Sequence, residues 1–255
     1  MKNCLLAGGV FPILIAIISM FFIGSSGLGG SFLSAAILTL VIIMGVVFTF
    51  ITSKILSKTL LRGMPSSFTL ELPPYRMPQI GTVVVRSVLD RTLFVLGRAV
   101  AVAAPAGLVI WVMANLTVGD ATLLAHCSGF LDPFANLMGM DGVILLAFIL
   151  GFPANEIVIP IIIMSYMAQG NLLEIHNIAE LKQLFTDNGW DFITAVSVMI
   201  FTLLHWPCST ACLTIKKETG SLKWTAVSIL VPTLIGIAVC ISFTAIARGI
   251  VWVLG

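Results

Sequence analysis

Gly151-Phe152-Pro153-Ala154-Asn155-Glu156 interrupts an apolar run that extends over residues 143–168. A glycine, a proline, an amide and a carboxylate inside such a run are hard to account for as packing. Proline removes a backbone donor, and in hydrocarbon the freed backbone groups are tolerated only where protein or a wet cavity covers them. The stretch is therefore expected to be a broken helix facing a cavity. A carboxylate at the bilayer centre costs about 2.5 to 3.5 kcal/mol on insertion scales, so Glu156 marks a functional site by default. The plainer alternative is that Glu156 snorkels to an interface, or caps the second half-helix as a dipole partner.

The rest of the chain sets the medium. With 255 residues, 59% hydrophobic and 9% charged, and a mean hydropathy of +1.13, it is too apolar for a soluble domain of its size. Continuous apolar runs of about 20 residues suit helices that cross a bilayer, whereas a barrel would show short alternating segments. The expected class is all-α, a polytopic transmembrane bundle with discontinuous helices. The net charge of +2 comes with basic residues gathered near span boundaries, which read as topology signals and not as a nucleic-acid footprint. Five cysteines, Cys4, Cys127, Cys208, Cys212 and Cys240, form no CxxC pair and no common zinc spacing, so a disulfide framework is not expected.

Taken in order, spans are expected at residues 4–23, 32–52 and 99–118, then the broken segment, then 192–215 and 224–247. Pro73, Pro74 and Pro78 keep residues 65–78 from being helical throughout. Residues 80–98 mix apolar positions with Arg86, Asp90, Arg91 and Arg98, and an amphipathic helix lying in the interface is expected there. The loop over residues 119–142 holds Asp120, His126, Asp132 and Asp141 but no Lys or Arg. Positive-inside bias then puts residues 53–98 in the cytoplasm and this loop outside. If residues 143–168 crossed the membrane completely, Lys216, Lys217 and Lys223 would fall outside, against that bias; a re-entrant hairpin of two half-helices brings them inside and is preferred.

A second polar break, His205-Trp206-Pro207-Cys208-Ser209-Thr210, lies in the span at 192–215. Discontinuous helices that meet near the midplane expose helix ends and carbonyls to a solute or ion. Asn155 and Glu156 offer oxygen, Cys208 sulfur and His205 an imidazole nitrogen, with the Ser209 and Thr210 hydroxyls beside them. Sulfur, nitrogen and carboxylate together suit a first-row transition metal better than magnesium or calcium. Each residue also has a plainer use. A buried cysteine is usually a small hydrophobe, as expected above all for Cys240; His205 beside Trp206 can be an interface residue; and hydroxyls often bond carbonyls within their own helix. No GxxxxGK[ST] occurs, and no nucleophile and base arrangement suggests an enzyme.

Glu71-Leu72-Pro73-Pro74-Tyr75-Arg76-Met77-Pro78 resembles a phrase of the bacterial ferrous iron transport protein B (FeoB) family. The resemblance continues through Leu131-Asp132-Pro133-Phe134, residues 141–148, Phe152-Pro153-Ala154-Asn155-Glu156-Ile157-Val158-Ile159-Pro160, and Pro207-Cys208-Ser209-Thr210 with Lys216-Lys217-Glu218-Thr219-Gly220-Ser221. These blocks keep the family's order. The resemblance implies a multi-pass protein of the bacterial inner membrane that takes up Fe(II), with two gate domains similar in fold to concentrative nucleoside transporters. Residues 1–52 would then be the end of the first gate, 53–98 a cytoplasmic segment and 99–255 the second gate. It also implies that Cys208 stands at a proposed iron ligand, that GTP is bound on a separate domain or chain, and that small Feo accessory proteins are partners. No cofactor of its own is expected, and homo-oligomer formation is left open. Two departures matter. The GTP-binding region and the front of the first gate are missing, so a partner supplying them is expected. Relatives often place a cysteine just before the Phe-Pro of the opening helix, whereas here Gly9-Val10 precedes Phe11-Pro12 and Cys4 lies further upstream. Two competing readings are a transporter of a nucleoside-like polar solute, and a non-transporting scaffold that docks a GTPase through residues 53–98.

Overall fold

The structure, a computed structural model, describes residues 10–21, 28–59, 81, 85, 94–119, 121–153, 155–168 and 178–254. The proline-rich phrase and most of the expected interfacial helix lie outside the described residues, as do Glu174 and His176. Apart from a two-residue antiparallel pair, β1 (Thr117–Val118) with β2 (Ala121–Thr122), the described elements are helices.

The described part of helix α1 (Val10–Phe21) covers 12 residues, about 18 Å. Its Ile13, Leu14, Ile17, Ile18 and Met20 are all buried. By contrast α2 (Leu28–Thr59) leaves Phe32 and Phe50 more than two-thirds exposed. It runs past the expected end at residue 52, because nothing from Ser53 to Thr59 is a helix breaker. Helix α3 (Phe94–Asn115) starts before residue 99 and takes in Arg98, so the expected boundary between interfacial helix and span does not fall there.

The segment expected to be a loop over residues 119–142 is corrected. Beyond the β pair it forms α4 (Leu123–Leu137), whose N-terminus is capped by Thr122 Oγ1 accepting from the Ala125 N–H at 3.2 Å. Helix α5 (Gly142–Leu150) follows after a bend of 106°. Gly139 supplies the left-handed residue of that bend at φ +74°. Gly142 permits the close approach: a Cβ there would stand 2.0 Å from the Ser128 carbonyl oxygen. After α5 the chain breaks as expected, through a turn and a single 3-10 turn at Asn155–Ile157, and resumes as α6 (Val158–Ala168).

The acidic loop is also partly helical. Helix α7 (Ile178–Asp187) buries Leu184 and Phe185 on its inner side. Glu180, Lys182 and Asp187 are interspersed among its apolar residues, and in so short a stretch the helical spacing of the latter is easily missed. Helix α8 (Phe192–Leu204) starts at Asp191, whose carboxylate accepts from the Thr194 N–H at 2.7 Å. It is followed by the second break and by α9 (Ser209–Thr219), which ends on Gly220 at φ +63° with Lys216 and Lys217 in its last turn. Finally α10 (Leu222–Leu254) runs 33 residues, past the expected end at residue 247. Among the described residues two stretches are long and apolar enough to cross a bilayer, Gly30–Ile55 and Leu222–Val253, and the bent pair α4 and α5 makes a third if counted as one span. The molecule is an all-α membrane protein.

The core joins α1, α5, α6, α7 and α8 into one cluster, with Ile17, Ile144, Phe148, Ile162, Phe185 and Phe201 all but inaccessible. A polar clasp closes one end of it. Asp141 caps α5 by accepting from the Ile144 N–H at 2.6 Å, and its other oxygen accepts from the Tyr166 hydroxyl near the end of α6, 25 residues along the chain. Trp190 Nε1–H donates to that hydroxyl at 2.8 Å and stacks on Phe185 and on Phe21 of α1. The start of α5, the end of α6, the start of α8 and the end of α1 therefore lie together. Helices α5 and α6 leave this end and return to it.

Candidate functional site

The two breaks meet. Ser209 N–H donates to the Phe152 carbonyl at 3.0 Å, and Ser209 Oγ donates to the Pro153 carbonyl at 3.1 Å. Pro153 and Pro207 each interrupt a helix, and the carbonyls released in the first break are taken up at the first turn of α9. Helices α5 and α8 end at this junction and the next helices begin there, so the carbonyl oxygens of two helix C-termini and the N–H groups of two helix N-termini come together, and the dipoles alone do not select the sign of a ligand.

Of the residues expected at the site, Cys208 is the N-cap of α9, in extended backbone (φ −60°, ψ 160°), and is half-buried. Ser209 and Thr210 were expected within the break. The helix resumes at Ser209, so both stand in its first turn, since an extended residue after Pro207 lets the helix restart at once. Asn155 opens the 3-10 turn, half-buried, with its Oδ1 buried and lacking a hydrogen-bond partner among the described residues. The side chains of Glu156 and Thr210, both expected ligands, lie outside the described residues.

His205 ends α8 and is buried, its ring among Phe148, Phe201 and Trp206 with centroids 5.4, 6.0 and 5.9 Å away. Its Nδ1 is 2.8 Å from the Thr202 carbonyl oxygen. Its Nε2 and the neighbouring Trp206 Nε1 are buried and have no partner among the described residues. Each break thus carries buried polar atoms of unmet valence, which native interiors seldom keep without a reason.

Two cysteines behave as small hydrophobes. Cys212 is buried one turn into α9 with its thiol directed at the Pro207 carbonyl, 3.4 Å away, and Cys240 is inaccessible against the Ser197 carbonyl. Among the described residues no three His, Cys, Asp or Glu side chains gather as a metal cage. Residues that sequence reasoning passed over are the aromatic cradle of His205, formed by Phe148 and Phe201, and the Tyr166 and Trp190 clasp. The apolar rings look like any core residues in sequence, and nothing local pairs Tyr166 with Asp141.

The family model described as ferrous iron transport protein B C terminus matches residues 38–90. Similar curated proteins include the Fe(2+) transporter FeoB of Staphylococcus aureus (strain MSSA476), 27% identical over 201 residues, covering 74% of this chain and 28% of the relative. The Fe(2+) transporter FeoB of Campylobacter jejuni is 25% identical over 237 residues, covering 88% of this chain and 37% of the relative. That of Synechocystis is 27% identical over 204 residues, covering 78% and 31%. The chain thus spans between about a quarter and two-fifths of the length of these relatives. No solved structure matches it.

Proposed function

We propose that the chain, which resembles the ferrous iron transport protein B family over residues 38–90 and is 25–27% identical to the relatives above, is a member of it and the membrane part of a ferrous iron uptake transporter, moving Fe(II) across the bacterial inner membrane. A GTP-binding domain and the remaining first-gate helices act with it in trans, and small Feo accessory proteins are further partners. The observation that carries this reading is the junction of the two breaks, held by Ser209 against Phe152 and Pro153.

The clasp supports a re-entrant hairpin. Asp141 and Tyr166 lie together, and α5 with 9 residues and α6 with 11 reach about 14 and 17 Å. That is about half of a 30 Å hydrocarbon core, so the break falls near the midplane. Lys216, Lys217 and Lys223 then lie on the cytoplasmic side, as positive-inside bias requires. This is the plan of a gate similar to those of concentrative nucleoside transporters.

Fe(II) passes Cys208, Asn155 and Glu156, with Ser209, Thr210 and His205 lining the way. A permeation path must release what it binds, so a loose set of ligands serves better than a closed cage. The test is uptake of labelled Fe(II) by cells that carry the chain with its partner. Cys208→Ser is expected to lower uptake by about tenfold at equal abundance, on the scale of losing one strong contact to the ion. Full uptake by that variant would remove Cys208 from the path, and inhibition by nucleosides in place of Mn(II) or Zn(II) would replace the metal by an organic solute.

A further inference from the structure

Imidazole chemistry at the second break narrows what the junction can bind; this step rests on the reading of the junction as a metal path. The Thr202 carbonyl oxygen, 2.8 Å from His205 Nδ1, can only accept. The Nδ1 therefore carries a proton and donates it, which leaves a lone pair on Nε2 of the neutral ring. That lone pair is buried without a partner among the described residues, in a side chain only 8% exposed. A metal-binding histidine has this form, with one nitrogen free for the ion and the other N–H held by a carbonyl that fixes tautomer and ring orientation. The plane of the ring is further held by Phe148 and Phe201.

Asn155 Oδ1, on the other break, is a second buried acceptor in the same condition. Trp206 Nε1–H is buried and unmet as well, but it can only donate and so cannot ligate a cation. It calls for an oxygen, which a cation keeping part of its hydration shell brings with it.

We infer that His205 Nε2 is a direct nitrogen ligand of the permeating divalent cation and a selectivity-determining residue. The junction accepts partly hydrated first-row ions and discriminates against Mg(II) and Ca(II), which take all-oxygen shells.

The probe is Mn(II) added to the full chain in lipid nanodiscs and examined by pulsed electron paramagnetic resonance for imidazole nitrogen coupling. Coupling is expected in the wild type, undiminished by excess Mg(II). In His205→Gln it should be lost, with Mn(II) affinity reduced about tenfold or more. The chain has three histidines, so a variant with His126→Gln and His176→Gln must keep the coupling, which provides a test even if His205→Gln does not fold. Bound Mn(II) without nitrogen coupling, coupling that persists in His205→Gln, or its loss in the double variant would overturn the inference and leave the metal path standing. A wild-type chain that binds no Mn(II), alone or with its partner, would overturn both.

Discussion

Ser209 carries two separate tasks that a single substitution can pull apart. As the first residue of α9 it tolerates proline, whose missing N–H is not needed by the helix and whose ring suits a helix start; Cys208, at φ −60° and ψ 160°, already has the backbone that precedes a proline. Ser209→Pro removes both bonds to the first break, the N–H to Phe152 and the Oγ to Pro153. Circular dichroism of the purified variant is expected to match the wild type while Fe(II) uptake falls at least about tenfold, the equivalent of one to two hydrogen bonds of about 1 kcal/mol each. Unchanged uptake would mean that the contact between breaks does not matter to permeation. At this scale Pro153, Pro207 and the thiol of Cys208 were legible, because a proline or a polar group in an apolar run acts through local rules. The condition of His205 was not: its Nδ1 partner is three residues away, but the burial of Nε2 depends on Phe148, which comes from another helix.

Among the elements, the helices missed from sequence were α4 and α7. Helix α4 carries Gly129 and Pro133, which read as breakers, and α7 carries Glu180, Lys182 and Asp187 among its apolar residues, so the helical spacing of Leu184 and Phe185 shows only once they are seen to be buried. The direction of α5 and α6 is the prediction that belongs here. Residues at the clasp are expected on the outer side and the end of α9 on the inner side. In a background without native cysteines, Asn188→Cys should react with an impermeant maleimide added to intact cells, and Lys217→Cys only after the membrane is opened. Labelling of position 217 from outside would make α5 and α6 a complete crossing and move the second half of the topology to the other side.

For the whole molecule, α1 is the unexpected centre. A run expected only to span the membrane packs against α8, α7 and the 3-10 turn of the first break, with Ile17 at 0% exposure. Ile17→Ala is expected to cost about 2 to 4 kcal/mol, the scale of emptying a well-packed site, and to lower the melting temperature of the detergent-solubilised protein. A cost near zero would show that α1 is a loosely attached span. The long helices α2 and α10 are different, with Phe32, Phe50 and Trp252 turned outward where lipid or further helices can cover them. What the amino-acid order decided alone was the medium, the helical class, the two places where an apolar run breaks and the polar side chains that stand at them, because hydropathy and the prolines of those breaks act within a few positions of themselves. The meeting of Ser209 with Pro153, 56 residues apart, the return of α6 to Asp141 and the burial of α1 were decided only by tertiary structure. Each is a contact between surfaces, and many packings of equally apolar helices satisfy the same local rules until complementary shape and unmet polar groups select one.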